Sequence, residues 1–155
     1  MFGRANPFAA AQNFNAAGAL QLPPPRILVV DDDNLHRMIV YRLATKAGYL
    51  PAGAASYDEA VALVQESAFD LITLDLLLGN HGGNEMLHHL AILDCRAPII
   101  LISGCDHAIC KDAIALAGRL NLYIWECFAK PVDLAMLRHF LERLTEMRTV
   151  AASAA

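Results

Sequence analysis

Five short apolar runs alternate along this chain with stretches whose apolar residues recur at helical spacing. The runs lie at residues 26–30, 50–54, 71–74, 98–102 and 123–129. A continuous apolar run of this length is typical of a strand buried on both faces, and the intervening stripes are typical of amphipathic helices. Parallel strands need crossover connections, which helices supply. The sequence therefore predicts an α/β fold with a doubly wound, five-stranded parallel sheet.

The composition separates a terminal arm from one folded domain. The chain has 155 residues, of which 56% are apolar and 18% are charged, enough apolar material for a core of ordinary size. Residues 1–25 contain no acidic residue and end in three prolines, which cannot continue a helix. We predict a disordered N-terminal arm over residues 1–25, one domain over 26–148 and a short disordered tail over 149–155.

Charge and hydropathy exclude several classes of protein. The formal net charge is -4, and all sixteen acidic residues follow residue 25, so the domain has no basic face for direct nucleic-acid binding. No apolar run approaches the roughly 18 residues of a membrane-spanning helix, and no signal peptide is recognisable. We expect a cytoplasmic protein without membrane contact, whose four cysteines are reduced thiols. These are Cys95, Cys105, Cys110 and Cys127.

Polar side chains suited to one chemistry follow four of the five predicted strands. In doubly wound folds, ligands bind beyond the carboxyl ends of the strands, where these side chains meet. Carboxylates bind hard cations such as Mg²⁺, and a carboxylate can attack phosphorus as a nucleophile. A hydroxyl and an ammonium group then offset the charge on the phosphoryl oxygens. In chain order the side chains belong to Asp31, Asp32, Asp33, Asp75, Ser103 and Lys130.

Four segments of the chain resemble the receiver domain of two-component response regulators, of the CheY-like type. These segments are ILVVDDDN, DLITLDLLLGNHGG, LISG and FAKPVD. The resemblance implies a flavodoxin-like receiver fold with strand order 2-1-3-4-5 and Mg²⁺ as the cofactor. Asp75 would be the phosphoacceptor, Ser103 the switch hydroxyl and Lys130 the cation that pairs with the phosphoryl group. The metal ligands would be the carboxylates of Asp31, Asp32 and Asp75 and the backbone carbonyl of Leu77.

The function implied by this resemblance is that of a stand-alone, single-domain response regulator. A sensor histidine kinase or a histidine phosphotransfer protein would supply the phosphoryl group. The signal would pass to an unknown downstream protein through altered contacts, at a face formed by the fourth helix, the fifth strand and the last helix. Such a module is not an enzyme with a separate substrate, since it catalyses at most its own phosphorylation and dephosphorylation.

Two positions depart from the family pattern. Family members usually carry proline four residues after the phosphoacceptor, where this chain has Gly79, so we expect a more flexible loop. They usually carry an aromatic residue three positions before the lysine, where this chain has Cys127. The neighbouring Phe128 points to the opposite face of a regular strand, which predicts an altered coupling between the site and the outer face.

Alternatives remain for the aspartates and for the function. Asp33, or Asn34, is placed to cap the first helix rather than to bind metal. A phosphatase resembling the haloacid dehalogenases would use Asp31 as the nucleophile and Asp33 as the acid and base, with Ser103 and Lys130 as phosphate binders. That hypothesis leaves Asp75 without a role and lacks the usual acidic motif after the lysine. A degenerate receiver that acts without phosphorylation is the third possibility.

Overall fold

A parallel sheet of five strands forms the centre of the structure, a computed structural model that describes residues 13–14, 16–18, 20–104 and 106–154. The strand order is β2-β1-β3-β4-β5, and every neighbouring pair is parallel. The predicted fold class and strand order are confirmed. The strands are β1 (Arg26–Val30), β2 (Leu50–Ala54), β3 (Leu71–Asp75), β4 (Ile99–Ser103) and β5 (Ile124–Ala129).

Five helices connect and follow the strands, and four of them begin at a side-chain cap. Aspartate or serine oxygens at these four caps accept hydrogen bonds from backbone N–H groups of the first turn, which otherwise lack partners. The predicted capping role of Asp33 is confirmed, because its Oδ1 accepts from the N–H of His36 at 2.9 Å. The helices are α1 (Asn34–Lys46), α2 (Tyr57–Glu66), α3 (Gly83–Ile92), α4 (His107–Arg119) and α5 (Leu134–Ser153).

The helices cover both faces of the sheet, and each face has its own apolar core. Leu28 and Val30 of β1 belong to the core under α2, α3 and α4, whereas Ile27 and Val29 belong to the core under α1 and α5. This division follows from the alternation of side chains along a strand. Burying one such side chain contributes about 1.5–3 kcal/mol, so β1 is stabilised from both sides.

The C-terminal end of the chain differs from the predicted tail, and the structure describes only part of the predicted N-terminal arm. Helix α5 runs to Ser153, beyond residue 149, where the predicted tail begins, because the alanines there are strong helix formers. In the N-terminal segment, Asn13–Phe14 and Leu20–Gln21 pair as short antiparallel strands. Residues 1–12, 15 and 19 of the predicted arm lie outside the described residues, so its disorder stays a prediction. Within the described part of the chain, no helix combines the length and apolar character needed to cross a membrane.

The cysteines differ from the expectation of four reduced thiols. Cys110 on α4 and Cys127 on β5 form a disulfide, with their Cα atoms 7.1 Å apart. Cys95 is a free thiol, and Cys105 lies outside the described residues. The expectation rested on composition, which gave no sign that these two cysteines are paired. The packing of α4 against β5, which brings the two side chains together, is a tertiary contact that sequence spacing does not reveal.

Gly83, the first residue of α3, lies against the backbone that follows β3. A Cβ atom at this position would stand 2.7 Å from the Cα atom of Leu76 and 3.3 Å from the carbonyl oxygen of Asp75. We expect Gly83→Ala to lower the free energy of unfolding by about 1–3 kcal/mol in urea denaturation, because backbone must move. The matched control is Gly118→Ala in α4, where a Cβ meets nothing within 4 Å. It should stabilise the protein by about 0.5–1 kcal/mol, and equal effects of the two substitutions would contradict this account.

Tyr49 joins the start of β2 to α5, since its hydroxyl donates a hydrogen bond to the carbonyl oxygen of Leu141 at 2.8 Å. Burial raises the pKa of Tyr49 to about 12. The protonated hydroxyl thus contributes stability in full below the unfolded pKa of about 10, and this contribution is lost as the pH rises through the folded pKa. We expect Tyr49→Phe to cost about 0.5–1.5 kcal/mol at neutral pH.

The pH dependence distinguishes this contribution from simple packing. The difference in unfolding free energy between the natural protein and Tyr49→Phe should shrink as the pH rises from about 10 to about 12. Denaturant unfolding at several pH values measures it. A difference that stays constant over this range would show that ionisation of Tyr49 does not oppose folding.

Candidate functional site

Three carboxylates meet at the carboxyl edge of the sheet. Asp31 follows β1 and Asp75 ends β3, and these two strands are neighbours. One oxygen from each of Asp31, Asp32 and Asp75 lies within 4.8 Å of the others. Asp31 and Asp75 are only 2% and 3% exposed, whereas Asp32 is exposed. The structure therefore brings together the three acidic side chains that the sequence selected as a metal site.

Lys130 lies between the two buried carboxylates. Its Nζ is 2.8 Å from Oδ2 of Asp75 and 3.2 Å from Oδ2 of Asp31. The residue directly follows β5, and its backbone N–H donates to the carbonyl oxygen of Ser103 at 2.9 Å. The Lys130–Pro131 peptide bond is cis. The ammonium group compensates part of the repulsion between two negative charges that burial brings close together.

Burial and charge shift the acid–base properties of this pair. Burial raises the pKa of Asp75, the charge of Asp31 acts in the same direction, and the hydrogen bond from Lys130 opposes both. For Lys130, burial lowers the pKa, but hydrogen bonds and charges from Asp75 and Asp31 outweigh it and leave the pKa raised. Lys130 is therefore a persistent cation, and Asp75 depends on cations around it to remain ionised.

His36 is a member of this site that sequence reasoning missed. It lies in the first turn of α1, and its Nδ1 contacts Oδ2 of Asp31, the oxygen that also contacts Lys130. The other Asp31 oxygen accepts from the N–H of Asp33 at 2.9 Å. The imidazole Nε2 is buried and has no hydrogen-bond partner among the described residues. His36 lies five residues after Asp31, and the short connection from β1 to α1 brings its ring to that carboxylate.

The loop after Asp75 folds back towards the acidic cluster. The N–H of Leu77 donates to Oδ1 of Asp75 at 2.9 Å, and the N–H of Gly79 donates to Oδ2 of Asp32 at 3.1 Å. Leu77–Leu78 and His81–Gly82 pair as short antiparallel strands around this turn. Gly79 has φ +55°, which proline, fixed near about -65°, cannot adopt. Glycine at this position thus permits a tight turn that the usual family residue excludes.

Ser103 stands at the same edge of the sheet, at the end of β4. It is 2% exposed, and in the sheet register it pairs with Ala129, the residue before Lys130. The strand that carries it lies between β3 and β5, which carry Asp75 and Lys130. The structure thus places all the predicted site side chains at one edge of the sheet.

Asp33 caps α1 and is not one of the three carboxylates of the acidic cluster. Its carboxylate accepts from the N–H of His36, and this bond lowers the pKa of Asp33. A phosphatase of the haloacid dehalogenase type would need this carboxylate beside the reacting phosphoryl group. In this structure that carboxylate is instead engaged as the cap of α1.

The donor set of the acidic cluster fits a hard divalent cation. Mg²⁺ prefers oxygen ligands and usually combines one or two carboxylates with several water molecules. Here two buried carboxylates approach from adjacent strands, and the exposed carboxylate of Asp32 leaves one side open to water. The residues present therefore match the ligand chemistry of Mg²⁺.

The sequence matches a known family over most of its length. The response regulator receiver domain family matches residues 27–142. The transcriptional regulatory protein ZraR of Salmonella typhimurium is 32% identical over 117 residues, which are 76% of this chain and 25% of that protein. The chain thus spans about a quarter of the length of this protein and of its Salmonella typhi counterpart.

Solved structures of response regulators superpose on this chain. A response regulator from Colwellia psychrerythraea superposes with a TM-score of 0.71 at 26% identity, over 81% of this chain and 99% of that one. A second solved structure is that of a response regulator protein from Burkholderia pseudomallei with a phosphorylated aspartic acid, calcium ion and citrate. It superposes with a TM-score of 0.63 at 26% identity, over 84% of this chain and 74% of that one. Together with the acidic cluster and its lysine, these matches show that the chain belongs to the response regulator receiver domains of two-component signalling.

Proposed function

We propose that this receiver domain accepts a phosphoryl group on Asp75 from a phosphohistidine of a sensor kinase or phosphotransfer protein. The observation that carries the proposal is the environment of the Asp75 carboxylate. It is buried at a strand end, bonded to Lys130 and grouped with two further carboxylates. The related Burkholderia protein, which contains a phosphorylated aspartic acid and a calcium ion, supports this assignment.

The side chains have complementary tasks in the transfer. An Asp75 oxygen attacks phosphorus as the bond to the histidine nitrogen of the donor breaks, which leaves an aspartyl phosphate and a free imidazole. Lys130 already contacts Asp75, so its ammonium group offsets the negative charge of the incoming phosphoryl oxygens. Ser103 supplies a hydroxyl donor at the same edge. Asp31, Asp32, Asp75 and the carbonyl of Leu77 would hold Mg²⁺, which would supply further neutralisation of charge.

Signalling follows from a shift between conformers. Phosphorylation favours whichever arrangement best satisfies the new charge through Ser103 and Lys130. Since the N–H of Lys130 bonds to the carbonyl of Ser103, changes at either residue reach β4 and β5 together. The surface formed by α4, β5 and α5 then binds a downstream protein with altered affinity. Cytoplasmic location and action as a stand-alone regulator remain predictions from the sequence.

Substitution of the acceptor tests the assignment. With Mg²⁺ and acetyl phosphate, the natural protein should gain the mass of one phosphoryl group, and Asp75→Asn should gain none, because an amide is not a nucleophile towards phosphorus. Intact-protein mass spectrometry measures both. Asp112→Asn, which removes an exposed carboxylate on α4, is the matched control and should be labelled normally.

Other outcomes identify the competing hypotheses. Labelling that persists in Asp75→Asn would contradict the proposal, as would steady hydrolysis of phosphate monoesters that disappears in Asp31→Asn. A natural protein that binds no Mg²⁺ and gains no phosphoryl group would identify a degenerate receiver.

The position of Lys130 predicts opposite effects on two ligands. Lys130→Met removes a positive charge that competes with a metal ion for Asp31 and Asp75, so Mg²⁺ should bind about tenfold more tightly in calorimetry. The anionic phosphoryl mimic beryllofluoride should bind at least about tenfold more weakly in ¹⁹F NMR titrations, because it loses its cationic partner. Lys46→Met, at the end of α1, is the control and should change neither affinity. Loss of both affinities in Lys130→Met would contradict this division of tasks.

A further inference from the structure

We propose that Cys110 and Cys127 form a reversible thiol–disulfide site that reacts with low-molecular-weight disulfides and, on the basis of the proposed function, controls phosphoryl acceptance at Asp75. The two cysteines lie on different elements, α4 and β5, and their sulfur atoms are bonded. The regulator would thereby respond to two inputs, a phosphoryl donor and the redox state of its surroundings.

The surroundings of the pair suit thiol–disulfide exchange. Both cysteines are partly exposed and line a cavity of about 350 Å³, together with His107, Lys111 and Ser103. Cys110 lies near the amino end of α4, and its thiolate is the form that attacks disulfides. Both cysteines pack against the core under α2, α3 and α4, but each is partly exposed, and the cavity gives a small reagent an approach to them.

The chemistry balances with a small disulfide as the oxidant. The Cys110 thiolate attacks one sulfur of the reagent, forms a mixed disulfide and releases one thiolate. Cys127, as its thiolate, then attacks the Cys110 sulfur and releases the second thiolate. Two electrons and two protons pass from the protein to the reagent, and an excess of small thiol reverses the reaction. In a reducing compartment the pair is a dithiol that closes only on oxidation.

The cross-link joins the elements that carry two residues of the phosphorylation site. Ser103 ends β4, and only residues 104–106 separate it from α4 and thus from the turn that contains Cys110. Cys127 pairs in the sheet register with Leu101, and Ala129 pairs with Ser103, directly before Lys130. The disulfide therefore fixes the start of α4 to the strand that leads to Lys130, and it limits movement of α4 relative to β5.

The structure that contains the disulfide indicates whether oxidation should raise or lower phosphoryl acceptance at Asp75. In this arrangement Lys130 is bonded to Asp75 itself, with no phosphoryl group between them. A cross-link stabilises the conformers in which its two sulfurs meet, so oxidation should favour the unphosphorylated arrangement. The disulfide form should accept a phosphoryl mimic less readily than the dithiol form.

The first arm of the test measures the chemistry alone. The full chain is equilibrated with mixtures of oxidised and reduced glutathione, quenched in acid, alkylated under denaturing conditions and analysed by mass spectrometry. Oxidation should remove two alkylation sites reversibly and yield a peptide pair linked through Cys110 and Cys127. The control Cys95→Ser should behave in the same way, whereas Cys110→Ser should form no internal cross-link. A disulfide that instead contains Cys105, or four thiols that stay reduced throughout, would overturn the proposal.

The second arm measures the effect on the phosphorylation site. Beryllofluoride titrations with Mg²⁺, followed by ¹⁹F NMR, should give an affinity about fivefold or more lower for the disulfide form than for the dithiol form. Cys127→Ser should bind equally well under both conditions. Equal affinities of the two forms of the natural protein would overturn the control of Asp75. Absence of beryllofluoride binding in both forms would instead refute the proposed function, since the first arm is read without it.

Discussion

The contact of Lys130 with Asp75 and Asp31 is the interaction on which the site depends. Two buried carboxylates at the ends of adjacent strands repel each other, and burial together with the charge of Asp31 raises the pKa of Asp75. The ammonium group supplies a compensating positive charge from the end of β5, across the intervening strand β4. The same contact makes the site responsive, because a metal ion or a phosphoryl group at Asp75 must change the partners of Lys130.

Strand order explains how residues far apart in sequence reach this contact. Asp31, Asp75 and Lys130 follow three strands of one parallel sheet, whose carboxyl ends lie at the same edge. The backbone bond from Lys130 to Ser103 and the packing of Gly83 against Leu76 hold the surrounding loops close to that edge. A small displacement at Asp75 therefore reaches α3 and the end of β5 through direct contacts.

Much of this arrangement could be predicted from the sequence, and the failures have specific physical causes. The apolar periods give the α/β class, the receiver motifs add the strand order, and the polar residues after the strands give the members of the site. His36 was missed because its contact with Asp31 depends on the conformation of the short connection from β1 to α1. The Cys110–Cys127 pair was missed because its partners meet only through the packing of α4 on β5. The tail predicted from residue 149 is helical as far as Ser153, because the alanines there are strong helix formers.

The central claim is that Asp75 is the residue that receives the phosphoryl group. The most direct test begins by phosphorylating the full chain with phosphoramidate in the presence of Mg²⁺. Phosphoramidate is a nitrogen–phosphorus donor like phosphohistidine. The acyl phosphate is then reduced with borohydride. Reduction converts a phosphorylated aspartate into homoserine, which peptide mass spectrometry locates. The account predicts homoserine at position 75 alone. Homoserine at position 31 or 32, or none at any position, would contradict it.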